Sequence, residues 1–159
     1  MVTNKKQEQS LRVICHNKKA RHNYHIVETM EAGIVLLGSE VKSCRRGSVN
    51  LNDSHALIEN GEIFLVDAHI SPYAHANRFN HQPRRKRKLL LHKHQIKKLY
   101  GKIKERGQTF IPLRMYFNEA GKVKVEMAIA QGKKLFDKRA DIQKRDLLRE
   151  EQRRLQRHS

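Results

Sequence analysis

Past the middle of the chain, two stretches alternate residue by residue, and they restrict the fold more than any other feature of the sequence. In residues 111–117, Ile111, Leu113, Met115 and Phe117 are interleaved with Pro112, Arg114 and Tyr116. After Asn118-Glu119-Ala120-Gly121, Val123, Val125, Met127 and Ile129 are interleaved with Lys124, Glu126 and Ala128. Successive side chains of a strand point to opposite faces, so this spacing predicts an antiparallel hairpin with one apolar and one wet face. A second hairpin is predicted at Asn60-Gly61, a pair that tolerates positive φ. It lies between Ala56-Leu57-Ile58 and Ile63-Phe64-Leu65-Val66.

Shorter elements surround these hairpins. Residues 11–15 read as a strand, and residues 24–37 as a longer one that bends near Glu31-Ala32-Gly33. Between them Asn17-Lys18-Lys19-Ala20 starts a single helical turn with Asn17 as its cap. Residues 39–46 read as a short helix capped by Ser39 and stopped by Gly47. Over residues 92–106 the period becomes helical: Ile96, Leu99, Tyr100 and Ile103 stand at i, i+3, i+4 and i+7, and Gly107 ends the run. Gly101 inside it costs about 1 kcal/mol relative to Ala. Short strands, one amphipathic helix and no βαβ rhythm predict a mainly β chain: a small antiparallel barrel capped by helices.

Composition shifts at Gln131-Gly132, which divides the chain into a leader (1–10), a body (11–131) and a basic tail (132–159). The tail's apolar residues are too sparse for a second core. Asp141 with Arg145, and Glu150 with Arg154, are acid-first i,i+4 pairs, each contributing about 0.2–0.5 kcal/mol to a helix. Such a helix is marginal alone, so the tail is expected to be disordered when free and helical on a surface.

The formal charge of +18 on 159 residues calls for a polyanionic partner. Nucleic acid fits, since each neutralised phosphate releases counterions. A membrane surface fits less well, and every apolar stretch is far too short to span a bilayer. The run Arg84-Arg85-Lys86-Arg87-Lys88, continued by Lys93, Lys97, Lys98, Lys102, Lys104 and Arg106, is opposed only by Glu105 in sequence. It reads as a solvated face or, given the whole-chain charge, a phosphate-binding one. The leader lacks an apolar segment, and Cys15 and Cys44 form no Cys-x-x-Cys pair, which together point to reduced thiols and a cytoplasmic location.

Ten histidines raise the question of catalysis or metal binding. No Cys or carboxylate completes a metal set at a recognisable spacing, and no Walker loop or nucleophile elbow is present, so neither a metal nor a cofactor is expected. A ribonuclease using His16 or His22 with Lys18 is chemically open. Glu31, a lone acid before Ala32-Gly33, is either a bend residue or an acceptor for base edges.

Several segments taken in order resemble the SsrA-binding protein (SmpB) family. They are Asn17-Lys18-Lys19-Ala20, EAGIVLLGSEVKS (31–43), Asn50-Leu51-Asn52-Asp53-Ser54, RKLLLH (87–92), residues 107–112 and GKKLFDKR (132–139). The resemblance implies an OB-like barrel with three flanking helices and a non-catalytic role in trans-translation. Members bind the tRNA-like domain of transfer-messenger RNA and bring it to ribosomes stalled without a stop codon. Their tails enter the decoding centre and the vacant messenger channel, and elongation factor Tu is met only through the charged RNA.

By motif position the resemblance assigns the RNA surface to Asn17, Lys18, Arg21, Tyr24, Glu31, Gly33, Lys42, Arg87, Lys88, Leu91, His92, Lys133 and Lys134. It assigns the ribosome-binding tail to Phe136, Asp137, Lys138, Arg139, Arg145, Leu148, Arg149, Arg153 and Leu155. Gln131 stands where the family often has a basic residue, and His55 where an aromatic is common. Two other classes stay open against this one. A general ribosome-associated OB module would show no preference for transfer-messenger RNA, and a nuclease would cleave what it binds.

Overall fold

The computed structural model describes residues 11–76, 80–133 and 135–157, with backbone alone for 105, 106 and 135–137. The leader and Lys134 therefore lie outside the described residues, as do the side chains of Phe136 and Asp137. In chain order the elements are β1 (Arg12–His16), α1 (Ala20–Asn23), β2 (Tyr24–Ile34), α2 (Gly38–Arg45), β3 (Val49–Asn50), β4 (His55–Glu59) and β5 (Glu62–Val66). Then follow β6 (His69–Ile70), β7 (Arg87–Leu90), α3 (Lys93–Arg106), β8 (Thr109–Phe117), β9 (Val123–Gly132) and α4 (Leu135–Arg157).

Seven strands form one antiparallel sheet in the order β1-β8-β9-β2-β7-β5-β4, and β3 pairs with β6 beside it. The mainly β class expected from the sequence holds, but the barrel does not close. The sheet curls until β4 approaches β8. Both edges of β8 are already taken, by β1 and β9, so no ladder joins it to β4.

Both predicted hairpins are present. Asn60 and Gly61 adopt φ of 51° and 75°, as a two-residue turn between β4 and β5 requires. The β8–β9 hairpin departs from simple alternation. Pro112 pairs with Met127 but Arg114 pairs with Glu126, so Leu113 is an extra residue in β8. The bulge turns Ile111 and Leu113 to the face opposite Met115 and Phe117.

The main core therefore takes Phe110, Met115 and Phe117 from β8 with Val123, Val125, Met127 and Ile129 from β9. Ile111 and Leu113 instead pack with Ala20, Ala128 and Ala130 in a small cluster covered by Tyr24 and Ile26. The face expected to be wet is thus apolar at one end and polar at the other.

Other boundaries differ locally. In β2 the register breaks between Ile26 and Glu28, ahead of the expected bend at residues 31–33. Asn17 does not cap α1; its side-chain amide donates to the Pro112 carbonyl at 2.9 Å and pins the turn to β8. Ser39 does not cap α2 either. Glu40 accepts the Leu37 N–H at 2.9 Å, while Ser39 bonds to His81. Tyr100 is 51 % exposed, leaving Ile96, Leu99 and Ile103 as the core stripe of α3.

Cys15 and Cys44 are free, and burial pushes their thiols up to about 11 and about 12 respectively. Both are neutral packing groups rather than nucleophiles. Among the described residues no helix is long and apolar enough to cross a membrane.

The tail is one helix, α4, in this structure, where the sequence reading expects that conformation only on a surface. Its N-terminal part is tied to the body. Lys133 donates to the Arg21 carbonyl at 2.9 Å and pairs with Asp141, and Arg145 donates to His22 Nδ1 at 3.2 Å. Asp141 therefore takes its hydrogen bond from Lys133, and Arg145 gives one to His22. Beyond them Leu147, Leu148 and Leu155 are exposed, Leu155 at 72 %.

Candidate nucleic-acid interface

Residues paired across neighbouring strands share a face. The register sets His16 of β1, Arg114 of β8, Glu126 of β9 and Glu31 of β2 in a row across the outer side of the sheet. Two carboxylates directly opposite each other are unfavourable. The row resolves the conflict with two donors: Arg114 Nε bonds to Glu126, and the Tyr116 hydroxyl donates to Glu31. Burial, followed by the bond to Glu31, raises the Tyr116 pKa, so this hydroxyl remains a donor well into the alkaline range. The Arg114 guanidinium also lies 5.2 Å from the Tyr116 ring centroid.

A cleft opens at each end of this row. The first, about 580 Å³, gathers Glu31, Gly33, Lys88, Leu91 and His92 with Leu90 and Lys124. His92 precedes the first turn of α3, whose free backbone N–H groups favour anions. The second, about 420 Å³, gathers His16, Asn17, Lys18 and Arg21 beside Arg114 and Glu126. Here Asn17 is buried, and its Oδ1 is the one buried side-chain polar atom without a partner among the described residues. An orphaned buried acceptor costs about 1–3 kcal/mol.

The sequence-assigned residues divide accordingly. Eight of them, Asn17, Lys18, Arg21, Glu31, Gly33, Lys88, Leu91 and His92, line these two clefts. Arg87 does not. It is fully buried, bonded to Glu40 and to the carbonyls of Ala68 and Pro83 at 2.8 and 3.0 Å. The basic run alternates like any strand: Arg85 and Arg87 turn inward to Glu40, while Lys86 and Lys88 turn outward to Glu59 and Glu62. Lys133 also faces inward, its side chain only 9 % exposed. Tyr24 covers the small apolar cluster and lines a third depression with Asn52, Asp53 and Ser54. Lys42 sits on α2 against the Tyr73 ring, outside both clefts.

In the tail, Arg139, Arg149 and Arg153 are exposed, Lys138 is half-buried, and Leu148 lies on the open side of the helix. Of the histidines offered for catalysis, His16 and Lys18 meet in the second cleft, whereas His22 faces Arg145. No three His, Cys, Asp or Glu side chains gather to hold a metal among the described residues.

The sequence model of the SmpB protein family matches residues 14–157. The chain belongs to the SmpB family. It is 61 % identical over 137 residues to the SsrA-binding protein of Symbiobacterium thermophilum, covering 86 % of this chain and 87 % of that one. It is 57 % identical over 140 residues to that of Moorella thermoacetica, covering 88 % and 90 %. Among solved structures it matches a chain from "tmRNA-SmpB: a journey to the center of the bacterial ribosome", with TM-score 0.66 and 48 % identity. That match covers 79 % of this chain and 86 % of that one.

Within this SmpB-family body, sequence reasoning missed Tyr116, Arg114, Glu126 and Lys124 as site residues. Their signal was their place at wet positions of the two alternating runs. What brings them beside Glu31 is the β2–β9 register, which local pattern does not specify.

Proposed function

We propose that the chain binds the tRNA-like domain of transfer-messenger RNA on the outer face of its sheet and carries it to stalled ribosomes. The observation that supports this most is the polar row from His16 to Glu31, which joins the two clefts into one surface. Lys18, Arg21, Lys88 and Lys124 would meet phosphates. Glu31 is an acceptor suited to base amino groups or ribose hydroxyls. Relatives named SsrA-binding proteins, and the solved structure described as a tmRNA–SmpB ribosome assembly, support the choice of RNA.

In the same reading the protein is cytoplasmic and non-catalytic, with no metal or cofactor. The tail, including Phe136, Asp137, Lys138 and Arg139, enters the decoding centre and the empty messenger channel. Elongation factor Tu is engaged only through the charged RNA. A gel-shift comparing transfer-messenger RNA with an elongator tRNA tests it, with the RNA recovered afterwards. Preferential binding with intact RNA is expected. Equal binding of both RNAs would instead indicate a general ribosome-associated module, and cleaved RNA a nuclease.

A further inference from the structure

Helix α3 has three distinct faces. Ile96, Leu99 and Ile103 pack into the core. Lys98 and Lys102 turn to β2, where both reach Glu28, at 3.2 and 2.5 Å. The third face carries Lys93, Lys97, Tyr100 and Lys104 at i, i+4, i+7 and i+11, a straight exposed stripe. At 1.5 Å per residue it runs about 16 Å along the helix. Lys93, Lys97 and Tyr100 form one wall of a groove of about 760 Å³, whose other wall is Ile58, Asn60, Gly61 and Glu62 at the β4–β5 turn. Lys104 completes the stripe, its ammonium 5.6 Å from the Tyr100 ring centroid.

One feature of this groove has no explanation in packing. Tyr100 is half exposed although it stands at a position whose spacing suits the core. An open aromatic ring set among lysines is suited to stacking by a flat ligand. The groove also shares Gly61, Glu62, Lys93 and Ile96 with the cleft beside Glu31, so the two surfaces are continuous.

We propose that this groove is a second RNA subsite, for a single-stranded segment whose base stacks on Tyr100 while its phosphates lie on Lys93, Lys97 and Lys104. A cationic track interrupted by an aromatic ring is how single strands are held without sequence preference. An acidic peptide would use the lysines but leave the ring without purpose. The subsite rests on the RNA-binding reading above and extends it from the folded tRNA-like element to an unpaired strand beside it.

The test uses the full-length protein and a ten-nucleotide unstructured RNA bearing 4-thiouridine. After irradiation the attached peptide is mapped, and affinity is measured in parallel by fluorescence anisotropy. The adduct is expected on Tyr100. Tyr100→Ala should weaken the groove-bound component about 5- to 140-fold, the range that about 1–3 kcal/mol of base stacking corresponds to. Tyr100→Phe should retain it, and Lys97→Ala with Lys104→Ala should lose the adduct. Affinity for the isolated tRNA-like domain should not change in these variants, whereas Glu31→Ala should lower that affinity and leave the adduct. Adducts confined to the tail or the sheet face would overturn the proposal, as would displacement of the RNA from Tyr100 by polyglutamate at matched charge.

Discussion

Arg87 meets Glu40 in the interior, with neither side chain exposed, although 47 residues separate them in sequence. Arg85 joins the same carboxylate from the rim, so α2 is fastened to β7 and the loop before it. Burial opposes ionisation of Glu40, but the Leu37 N–H, Arg87 and Arg85 together outweigh it and hold the carboxyl below its ordinary value of 4.5. Removing one partner strands the other charge, so Glu40→Gln or Arg87→Ala should cost about 3–5 kcal/mol of unfolding free energy. Because the folded value is the lower one, this stability is complete above about pH 4.5 and declines as pH falls through it. Urea unfolding from pH 7 downwards should show the gap between the wild-type protein and Glu40→Gln narrowing once the pH falls below about 4.5.

The bond from Tyr116 to Glu31 makes a different prediction. Tyr116→Phe keeps the buried ring but frees a carboxylate that stands opposite Glu126. Loss of one hydrogen bond to a charged group costs about 1.5–3 kcal/mol. RNA affinity should fall as well, since Glu31 loses its fixed orientation. In a spectrophotometric titration of the wild-type protein, one of the four tyrosines should ionise well above the others, and Tyr116→Phe should remove that component.

Gly33 is required by its neighbour rather than by its backbone angle. It pairs with Leu90 across β2 and β7, and a Cβ there would lie 3.1 Å from Leu90 Cβ, which is too close without a shift of one strand. Gly33→Ala should therefore destabilise the protein by about 1–3 kcal/mol. Leu90, Leu91 and His92 would move with β7, so RNA binding should weaken beyond what unfolding explains. A pairing of normal stability and affinity in this variant would show that β7 accommodates the methyl group freely.

These cases show which parts of the molecule local pattern can reveal. The hairpin at Asn60-Gly61 and the ends of α3 were legible because turn and stop residues act within a few positions. The bulge at Leu113 was not, because an extra residue preserves the odd-numbered apolar pattern while reversing which face it serves. The roles of Arg87 and Lys133 were also hidden. A basic residue in a basic run carries the same local signature whether it faces solvent or a buried carboxylate 47 positions away. Family resemblance found Glu31 and His92, but only the sheet register shows why they share a surface.

The tail gives the last prediction. Its hydrogen bonds to the body run through Lys133 and Arg145, and Leu147, Leu148 and Leu155 beyond them are exposed, so little buried apolar surface holds residues 146–157 helical. Helix pairs worth about 0.2–0.5 kcal/mol each cannot protect backbone hydrogen bonds for long. In hydrogen exchange of the free protein, amides of residues 146–157 should exchange within seconds, while those of β8 and β9 remain protected. Addition of stalled ribosomes with transfer-messenger RNA should slow them by orders of magnitude. Changing Asp137, Lys138 and Arg139 together should abolish that slowing and the tagging of stalled peptides, yet leave affinity for the isolated RNA within about twofold, a change below ~0.5 kcal/mol. Strong protection in the free protein would mean that the helix is rigid before it meets the ribosome. Loss of RNA affinity in the triple variant would place these residues on the RNA surface instead.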